Sequence, residues 1–311
     1  MNVLELAVVA VDDRIPGVRT LTLARPDGAP LPSFTPGSHL VVECGPVANA
    51  YSLTGDGVGP TVYTISVLLC PNGSGGSQWI HREVRPGDTV TALAPRSAFA
   101  PVLQAARHLL IAAGIGITPM VSHLRGARRW GRRVELLYVH RPGRGAHLDD
   151  IGALTGDATI VTDRRAFAAA LDVALASQPF GTHAYVCGPP SFIEAVTTAA
   201  TELGWPASRV HVEHFGITAI EPGEPFEVHL GATGETFTVD AGVSLLAALQ
   251  ARGHDVPNLC RQGVCGECRI TVTAGEVLHR DLFLGEHERE TGGSMMSCVS
   301  RAAGNRLELA L

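Results

Sequence analysis

Four cysteines near the end of this chain constrain its fold more than any other feature. Three of them fall within nine residues, in the stretch NLCRQGVCGEC over 258–268, and one follows thirty residues later. The four are Cys260, Cys265, Cys268 and Cys298. Gly263 and Gly266 lie between the first three. Because glycine adds no side-chain bulk and tolerates unusual backbone angles, such a loop can wrap around a small object.

The spacing of these cysteines separates two kinds of metal site. A Cys-x4-Cys-x2-Cys run followed at a distance by a fourth cysteine is the plant-type ligand pattern for a 2Fe-2S cluster. A structural zinc ion, the alternative, usually takes two Cys-x2-Cys pairs, or one pair with histidines. Here the first spacing is four residues and the last cysteine stands alone. We therefore predict a cluster held by these four thiolates.

Length, charge and cysteine usage exclude several classes of protein. A chain of 311 residues predicts two or three domains, and a net charge of −6 argues against nucleic-acid binding. No apolar run reaches the ~18 residues of a membrane span, and the start, MNVLELAVVAVDDR, reads as a strand rather than a signal peptide. Late clustering of cysteines does not fit a secreted disulfide framework. We expect a cytoplasmic monomer, with Cys44 and Cys70 as buried thiols.

Two composition breaks divide the chain. The stretch APRSAFAPVLQAARH over 94–108 separates a strand-rich region from a strand–helix region. The stretch FGITAIEPGEPF over 215–226 reads as an exposed linker because of its glycines and prolines. The predicted segments are 1–100, 101–216, a linker at 217–224, and 225–311.

The third segment reads as a small α+β domain. FEVHLGATGETFTVD predicts two strands, and SLLAALQARG predicts a short helix with Ser244 as its cap. ECRITVTAGEV and NRLELAL predict further strands. With the cysteine pattern, the whole of 225–311 resembles the plant-type ferredoxin β-grasp domain.

The middle segment contains a glycine turn between a strand and a helix. RHLLIAAGIGITPM places Gly114 and Gly116 after an apolar strand, and predicts a helix with Thr118 as N-cap and Pro119 as its first residue. Such a turn can hold a diphosphate, although tight packing alone also explains the glycines. Further strands alternate with helical stretches, which predicts an α/β doubly wound parallel sheet.

The motifs AAGIGITPM, YVCGPPSF and VEHFG resemble the NAD-binding domain of the ferredoxin-NADP-reductase superfamily. The resemblance implies that the glycine turn holds the pyrophosphate and that Cys187, Gly188 and Pro189 approach the nicotinamide. Phe215 would cover a flavin ring. The alternatives are a buried strand-end thiol for Cys187 and a core or linker anchor for Phe215. Arg141 and Arg165 are candidates for the adenosine end or are surface residues, and the resemblance favours NADH over NADPH.

The first segment alternates apolar and polar residues with period two, which predicts an antiparallel β-barrel. PGSHL and NAYSLTGDG resemble signatures of the flavin-binding barrel of the same superfamily, which implies that Tyr51 stacks on the flavin and that Ser52 lies near N5. NGSGGSQWIH resembles the turn that meets the flavin phosphate, with a surface loop as the alternative. The implied cofactor contacts are Asn49, Tyr51, Ser52, Leu53, Thr54, Gly75, Gly76 and Ser77.

Asn49 departs from the family pattern. The family usually has an arginine two residues before the tyrosine, where it makes a charge-assisted contact with phosphate. An asparagine can offer only neutral hydrogen bonds. Either flavin affinity is lower, or another residue meets the phosphate charge. His81 and Arg82 are candidates for that role, with plain surface exposure as the alternative.

The order of flavin barrel, NAD domain and C-terminal ferredoxin resembles the phthalate dioxygenase reductase and vanillate O-demethylase reductase family. The resemblance implies an NADH-dependent reductase that passes electrons through FMN, with FAD less favoured, and a 2Fe-2S cluster to the terminal oxygenase component of a Rieske-type oxygenase or demethylase. A flavin joins hydride chemistry to one-electron chemistry, so it belongs between the other two carriers. Ser52, Cys187 and Phe215 would then lie at the hydride site.

Two other functions share these motifs. One is a self-contained reductase of quinones, ferric chelates or dyes, which would not need a one-electron cluster. The other is a redox-sensing cluster protein, which would leave the flavin and nucleotide motifs unexplained. Acidic residues also crowd the ferredoxin segment, as a solvated face or a docking face for a basic partner: Asp281, Glu286, Glu288 and Glu290.

Overall fold

A computed structural model describes residues 3–45, 47–73, 75–97, 99–215, 222–258, 261, 263, 266–281 and 283–311. The chain divides into two compact units, 1–215 and 216–311. The first unit contains both the antiparallel sheet and the parallel sheet, and the second contains the cysteine-rich segment.

The antiparallel sheet opens the first unit. Its elements are β1 (Val3–Asp12), β2 (Val18–Ala24), β3 (Ser38–Cys44), β4 (Val47–Ser52), β5 (Val62–Leu68), α1 (Gly76–Glu83) and β6 (Thr89–Ser97). The strand order is β4-β3-β6-β1-β2-β5, and a bridge between Leu53 and Ile65 joins the two ends of the sheet into a barrel. Alternate side chains, such as Leu21 and Leu23, are fully buried inside it, as the period-two pattern predicts.

The parallel sheet follows. Its elements are β7 (Arg107–Ala113), α2 (Ile117–Arg129), β8 (Val134–Val139), α3 (Leu148–Leu154), β9 (Ala158–Val161), α4 (Arg164–Ala176), β10 (Thr182–Cys187), α5 (Pro190–Glu202) and β11 (Val210–Glu213). The order β11-β10-β7-β8-β9 reverses direction at β7, the first strand of the sheet. Ligands of such sheets bind where the strand order reverses, outside the carboxyl ends of the strands.

The second unit is a small mixed fold. Its elements are β12 (Phe226–Leu230), β13 (Thr236–Val239), α6 (Leu245–Ala251), β14 (Arg269–Ala274), β15 (Val277–Leu278), α7 (Glu286–Thr291), β16 (Ser294–Met296), β17 (Arg301–Ala302) and β18 (Arg306–Leu309). The main sheet has the order β13-β12-β18-β14-β16, with β12 and β18 parallel. α6 packs Leu245, Leu246 and Leu249 into the core. Ser244 caps α6 as predicted, since its hydroxyl accepts the N–H of Ala247 at 3.1 Å.

The predicted fold classes of all three segments are confirmed. The segment boundaries themselves stay predictions, because most of the predicted linker at 217–224 lies outside the described residues. Within the described ranges, no helix has the length and apolar character needed to cross a membrane.

Candidate functional site

The glycine turn after β7 lies directly against the end of β10. Residues Gly114–Gly116 form a 3-10 turn, and Gly114 has a φ of +56°. A Cβ on Gly116 would stand 2.3 Å from the carbonyl oxygen of Cys187, so no larger residue fits without moving one of the two strands. The predicted nucleotide turn and the predicted Cys187-Gly188-Pro189 turn are therefore neighbours. The crowded backbone and the helix that follows suit a diphosphate at this edge.

The predicted start of α2 is wrong by two residues. The helix begins at Ile117, and Gly116, which is already in the right-handed helical conformation, takes the N-cap position. Thr118 lies inside the first turn with Pro119, and its hydroxyl donates to the carbonyl of Ile115 at 3.0 Å. Because α2 follows directly after the 3-10 turn, it begins before Thr118, and Thr118 does not act as the cap.

Cys187 ends β10 beside an acidic residue that the motif analysis did not single out. The parallel register pairs Cys187 with Glu213 of β11. Burial, followed by the nearby Glu213 carboxyl, raises the pKa of the Cys187 thiol well above its usual value. Cys187 is therefore a neutral thiol, and it has no exposed surface.

Glu213 is half-buried, but its carboxyl oxygen Oε2 is fully buried and has no hydrogen-bond partner among the described residues. Burial raises the pKa of this carboxyl to about 8, so it is largely protonated at neutral pH. The only sequence signal for this buried carboxyl was a charged residue inside the short strand VHVE. Phe215 follows two residues later, is 37% exposed, and is the last described residue of its unit.

The predicted flavin segment runs along β4. Ser52 pairs across the sheet with His39 of β3 and is buried, and Leu53 makes the bridge that closes the barrel. Tyr51 packs against the barrel core, where burial raises the pKa of its phenol. Thr54, next along the chain, is also buried.

The structure brings Asn49 and the glycine-rich turn together across 27 residues of sequence. Gly75 has a φ of +99°, and a Cβ on Gly76 would lie 2.7 Å from the side-chain nitrogen of Asn49. The amide of Asn49 therefore lies at the N-terminus of α1, where backbone N–H groups and the helix dipole favour a phosphate. Ser77 lies in the same turn, and its hydroxyl accepts the N–H of Cys70 at 3.0 Å. These residues fit a flavin phosphate.

His81 and Arg82, the candidates to replace the family arginine, do not lie at the glycine turn, and that role stays a prediction. Both lie in the last turn of α1, about 8 Å along the helix axis from Gly76. The ring of His81 is held by the carbonyl of Val67 at 2.9 Å, and Arg82 is exposed. Among the described residues of α1, the first turn therefore offers backbone N–H donors and neutral side chains.

Arg141 and Arg165 both lie at the carboxyl edge of the parallel sheet. Arg141 follows β8, and Arg165 is in the first turn of α4, directly after β9. Both side chains are exposed. Their placement is compatible with the adenosine end of a dinucleotide.

Two of the four predicted cluster ligands converge in the second unit. The sulfur atoms of Cys268 and Cys298 are 3.0 Å apart, and both residues are buried. The antiparallel register of β14 with β16 pairs Arg269 with Met296, which puts the two cysteines at the same end of the ladder. The carbonyl of Cys268 also accepts the N–H and the hydroxyl of Ser297, at 3.1 and 2.9 Å. Cys260 and Cys265 lie outside the described residues.

The loop glycines have the conformation that a wrapping loop needs. Gly263 has a φ of +71° and Gly266 a φ of +79°. A Cβ on Gly263 would come within 2.6 Å of Val299, and one on Gly266 within 2.4 Å of the ring of Phe283. Since both positions are strained and crowded for any other residue, they fit a loop closed around a cluster.

Asp281 does not belong to an acidic surface. Its side chain has no exposed area, and it accepts the N–H of Leu284 at 2.8 Å and the hydroxyl of Ser300 at 3.1 Å. It therefore organises the segment behind Gly263. Glu288 forms an ion pair with Arg269 at 3.0 Å, and Glu290 is exposed. Of the two other cysteines, Cys44 is buried as expected, but Cys70 is exposed because it follows the end of β5 in a turn.

Comparisons with known proteins agree with this geometry. Residues 89–210 match the family model of the dimethylamine monooxygenase subunit DmmA-like N-terminal domain, and residues 228–303 match that of the 2Fe-2S iron-sulfur cluster binding domain. The second match confirms the prediction of a 2Fe-2S domain and excludes the zinc alternative.

Similar proteins cover the whole chain. It is 37% identical to the heme-dependent oxidative N-demethylase beta subunit of Ectopseudomonas mendocina, over 100% of this chain and 99% of that one. It is 36% identical to the carnitine monooxygenase reductase subunit of Escherichia coli, over 99% and 98%. The solved structure of phthalate dioxygenase reductase, a modular structure for electron transfer from pyridine nucleotides to 2Fe-2S, matches with a TM-score of 0.83 and 33% identity, over 100% and 98%. The chain therefore belongs to the phthalate dioxygenase reductase family, the reductase subunits of multicomponent oxygenases and demethylases.

Proposed function

We propose that this chain takes electrons from NADH and delivers them, through FMN and its 2Fe-2S cluster, to the terminal component of an oxygenase or demethylase. The observation that carries this proposal is the convergence of Cys268 and Cys298, whose sulfurs are 3.0 Å apart, in a chain that also has a nucleotide turn. A one-electron carrier in the same chain as a hydride site is useful only if the final acceptor takes single electrons.

The first unit would bind and align the two organic cofactors. Gly114 and Gly116 hold the pyrophosphate of NADH through the backbone, while Asn49, Gly75, Gly76 and Ser77 hold the phosphate of FMN. Bound there, FMN would supply the chemistry that joins two-electron hydride transfer to one-electron transfer. The remaining contribution of the protein is alignment: Ser52 and the neutral thiol of Cys187 flank the hydride site, and Phe215 covers it.

The buried carboxyl of Glu213 adds a proton-holding group to this site. Because its pKa is raised to about 8, Glu213 keeps a proton at neutral pH and places no negative charge beside Cys187. A neutral pocket favours binding of the apolar face of a nicotinamide.

The acceptor would be a separate protein. Relatives named as subunits of a heme-dependent N-demethylase and of a carnitine monooxygenase belong to different terminal chemistries, so the acceptor proposed here is an oxygenase component, Rieske-type or haem-containing. Contact with it is transient, as electron-transfer encounters usually are. A cytoplasmic, monomeric state is part of the same proposal.

Two measurements on the purified, cofactor-loaded protein test this function. Chromatography of the released flavin should give FMN, and FAD would contradict that part. NADH-driven reduction of cytochrome c, a one-electron protein acceptor, should be lost in Cys298→Ser, while reduction of a quinone, a two-electron acceptor, should continue. Equal cytochrome c activity in the variant would instead favour a self-contained reductase.

A further inference from the structure

Arg125 connects the nucleotide half of the first unit to the flavin segment. This arginine lies on α2, and its Nε donates to the carbonyl oxygen of Thr54 at 2.9 Å. Thr54 is two residues beyond Ser52 and is 2% exposed. A charge-assisted hydrogen bond to a buried carbonyl fixes that carbonyl more firmly than a neutral bond would.

Arg125 is itself held in place from the other side. Its Nη2 contacts the carboxylate of Asp150 at 2.6 Å, and Asp150 also contacts Nδ1 of His147 at 2.8 Å. His147 Nε2 then meets the hydroxyl of Ser66 on β5 at 2.9 Å. The bonds with His147 and with Arg125 hold the pKa of Asp150 below its usual value, so the carboxylate stays ionised. A chain of polar contacts thus runs from Thr54 through α2 and α3 back to the barrel.

The same helix also begins at the nucleotide turn. Gly116, immediately before α2, lies against the carbonyl of Cys187. Arg125 is nine residues further on, about 13 Å along a rigid helix. The middle of α2 has its own contact with the barrel, because the Ser122 hydroxyl accepts the N–H of Gly37 at 2.9 Å. One helix therefore touches both the Cys187 side and the Thr54 side of the hydride site.

We propose that Arg125 is a positioning residue that sets the spacing between the flavin segment at Ser52 and the nicotinamide turn at Cys187. This inference rests on the proposed function, since it concerns hydride transfer from NADH to the flavin. Arg125 acts through the carbonyl of Thr54, two residues beyond Ser52. Hydride transfer depends steeply on the alignment of donor and acceptor, so a shift of this segment slows the transfer more than it weakens the binding of either cofactor.

The test compares two arginines of the same helix face. Arg125→Met keeps the aliphatic stem and removes the donors, while Arg125→Lys keeps the charge and can restore one contact. Arg128→Met is the matched control, because Arg128 lies on the same helix but donates to the carbonyl of Ala153 on α3, within the nucleotide half, at 2.6 Å. Anaerobic stopped-flow absorbance would give the limiting rate of flavin reduction and the Kd for NADH of each protein.

We expect the limiting rate to fall about tenfold in Arg125→Met, with the Kd for NADH unchanged within twofold. Arg125→Lys should recover part of the rate, and Arg128→Met should match the wild type. A wild-type limiting rate in Arg125→Met would overturn the positioning role. An equal rise of the Kd for NADH in both Arg125 variants would also overturn the positioning role, because it would indicate a general loss of structure. Failure of NADH to reduce the wild-type flavin would instead overturn the proposed function itself.

A second variant covers the case in which Arg125→Met loses its flavin. Asp150→Asn leaves Arg125 in place and removes the carboxylate that orients it. The proposal expects about a threefold lower limiting rate at unchanged Kd, a smaller effect in the same direction. An unchanged limiting rate in Asp150→Asn would then count against it.

Discussion

Buried cysteines have different neighbours in the two units of this protein. Cys187, at the end of a parallel strand, is buried beside Glu213 and has a thiol pKa well above the usual value. Cys268 and Cys298, in the second unit, are equally buried but have sulfurs 3.0 Å apart. Burial alone therefore does not decide the chemistry of a cysteine here.

The residues around each cysteine determine its chemistry. A single thiol beside a protonatable carboxyl stays neutral, which suits a site where a hydride passes between two organic rings. Sulfurs that converge from distant parts of the chain suit a metal cluster, whose ligands must be thiolates. Removing a cysteine from either site should therefore have distinct consequences.

The largest effect is expected at the sulfur pair. Cys298→Ser should abolish the 2Fe-2S signals in visible and electron paramagnetic resonance spectra, while the flavin remains bound, because the second unit has its own core. Cys70→Ser, at an exposed cysteine, is the control and should keep the full signals. A normal cluster spectrum in Cys298→Ser would mean that this residue is not a ligand.

The next effect concerns the contact between the nucleotide turn and Cys187. Gly116→Ala places a methyl group where the Cys187 carbonyl lies 2.3 Å away, so the turn must shift. Overpacking of this kind costs about 1–3 kcal/mol, and we expect the KM for NADH to rise about tenfold or more. Gly152→Ala, on α3 with open space around the added Cβ, should leave the KM unchanged. Equal KM values would show that the turn does not bind the nucleotide.

Loss of the Cys187 thiol should affect hydride transfer alone. Cys187→Ala is expected to slow flavin reduction by NADH about tenfold through loss of alignment, with the cluster spectrum intact. Cys44→Ala removes another fully buried thiol, in the barrel, and serves as the control. If both variants slow the reaction to the same degree, the effect comes from general packing and not from a hydride site at Cys187.

The smallest effect is on stability and follows from Glu213. Burial raises its pKa from 4.5 to about 8, so the folded state binds a proton that the unfolded state releases between those values. The stabilising contribution of Glu213 to the free energy of unfolding is complete below pH 4.5 and is lost as the pH rises through about 8. Glu213→Gln should remove that part of the decline in the thermal midpoint between pH 5 and 9. An identical decline in both proteins would contradict the raised pKa.

Local patterns predicted much of this molecule. The cysteine spacing predicted the cluster domain, and period-two alternation predicted the barrel. The glycine turns at Gly116 and Gly76 were predicted as turns, while their role as cofactor sites stays a prediction. Each of these features has a direct sign in the order of the residues: the spacing of cysteines, the alternation of apolar side chains, or the position of glycines. The Ser244 cap belongs to the same class, because its partner is three residues away.

Features that depend on distant neighbours were not predictable. Asp281 is buried because Ser300 and the backbone of Leu284 satisfy it, although its sequence context is that of an acidic surface. Arg125 donates a hydrogen bond to Thr54, which is 71 residues away in the sequence, and nothing in either local sequence indicates the contact. Thr118 is not the N-cap of α2, contrary to the prediction, because a 3-10 turn, which has no strong sequence signal, leads into the helix before this residue.

The measurement that tests the central claim most directly is anaerobic stopped-flow absorbance of the wild type and Cys298→Ser, each mixed with one equivalent of NADH. In the wild type, loss of flavin absorbance should be followed by bleaching of the cluster bands. In Cys298→Ser, only the flavin should bleach. A wild-type cluster that stays oxidised after the flavin has been reduced would show that the paired cysteines lie outside the electron path, and the account would be wrong.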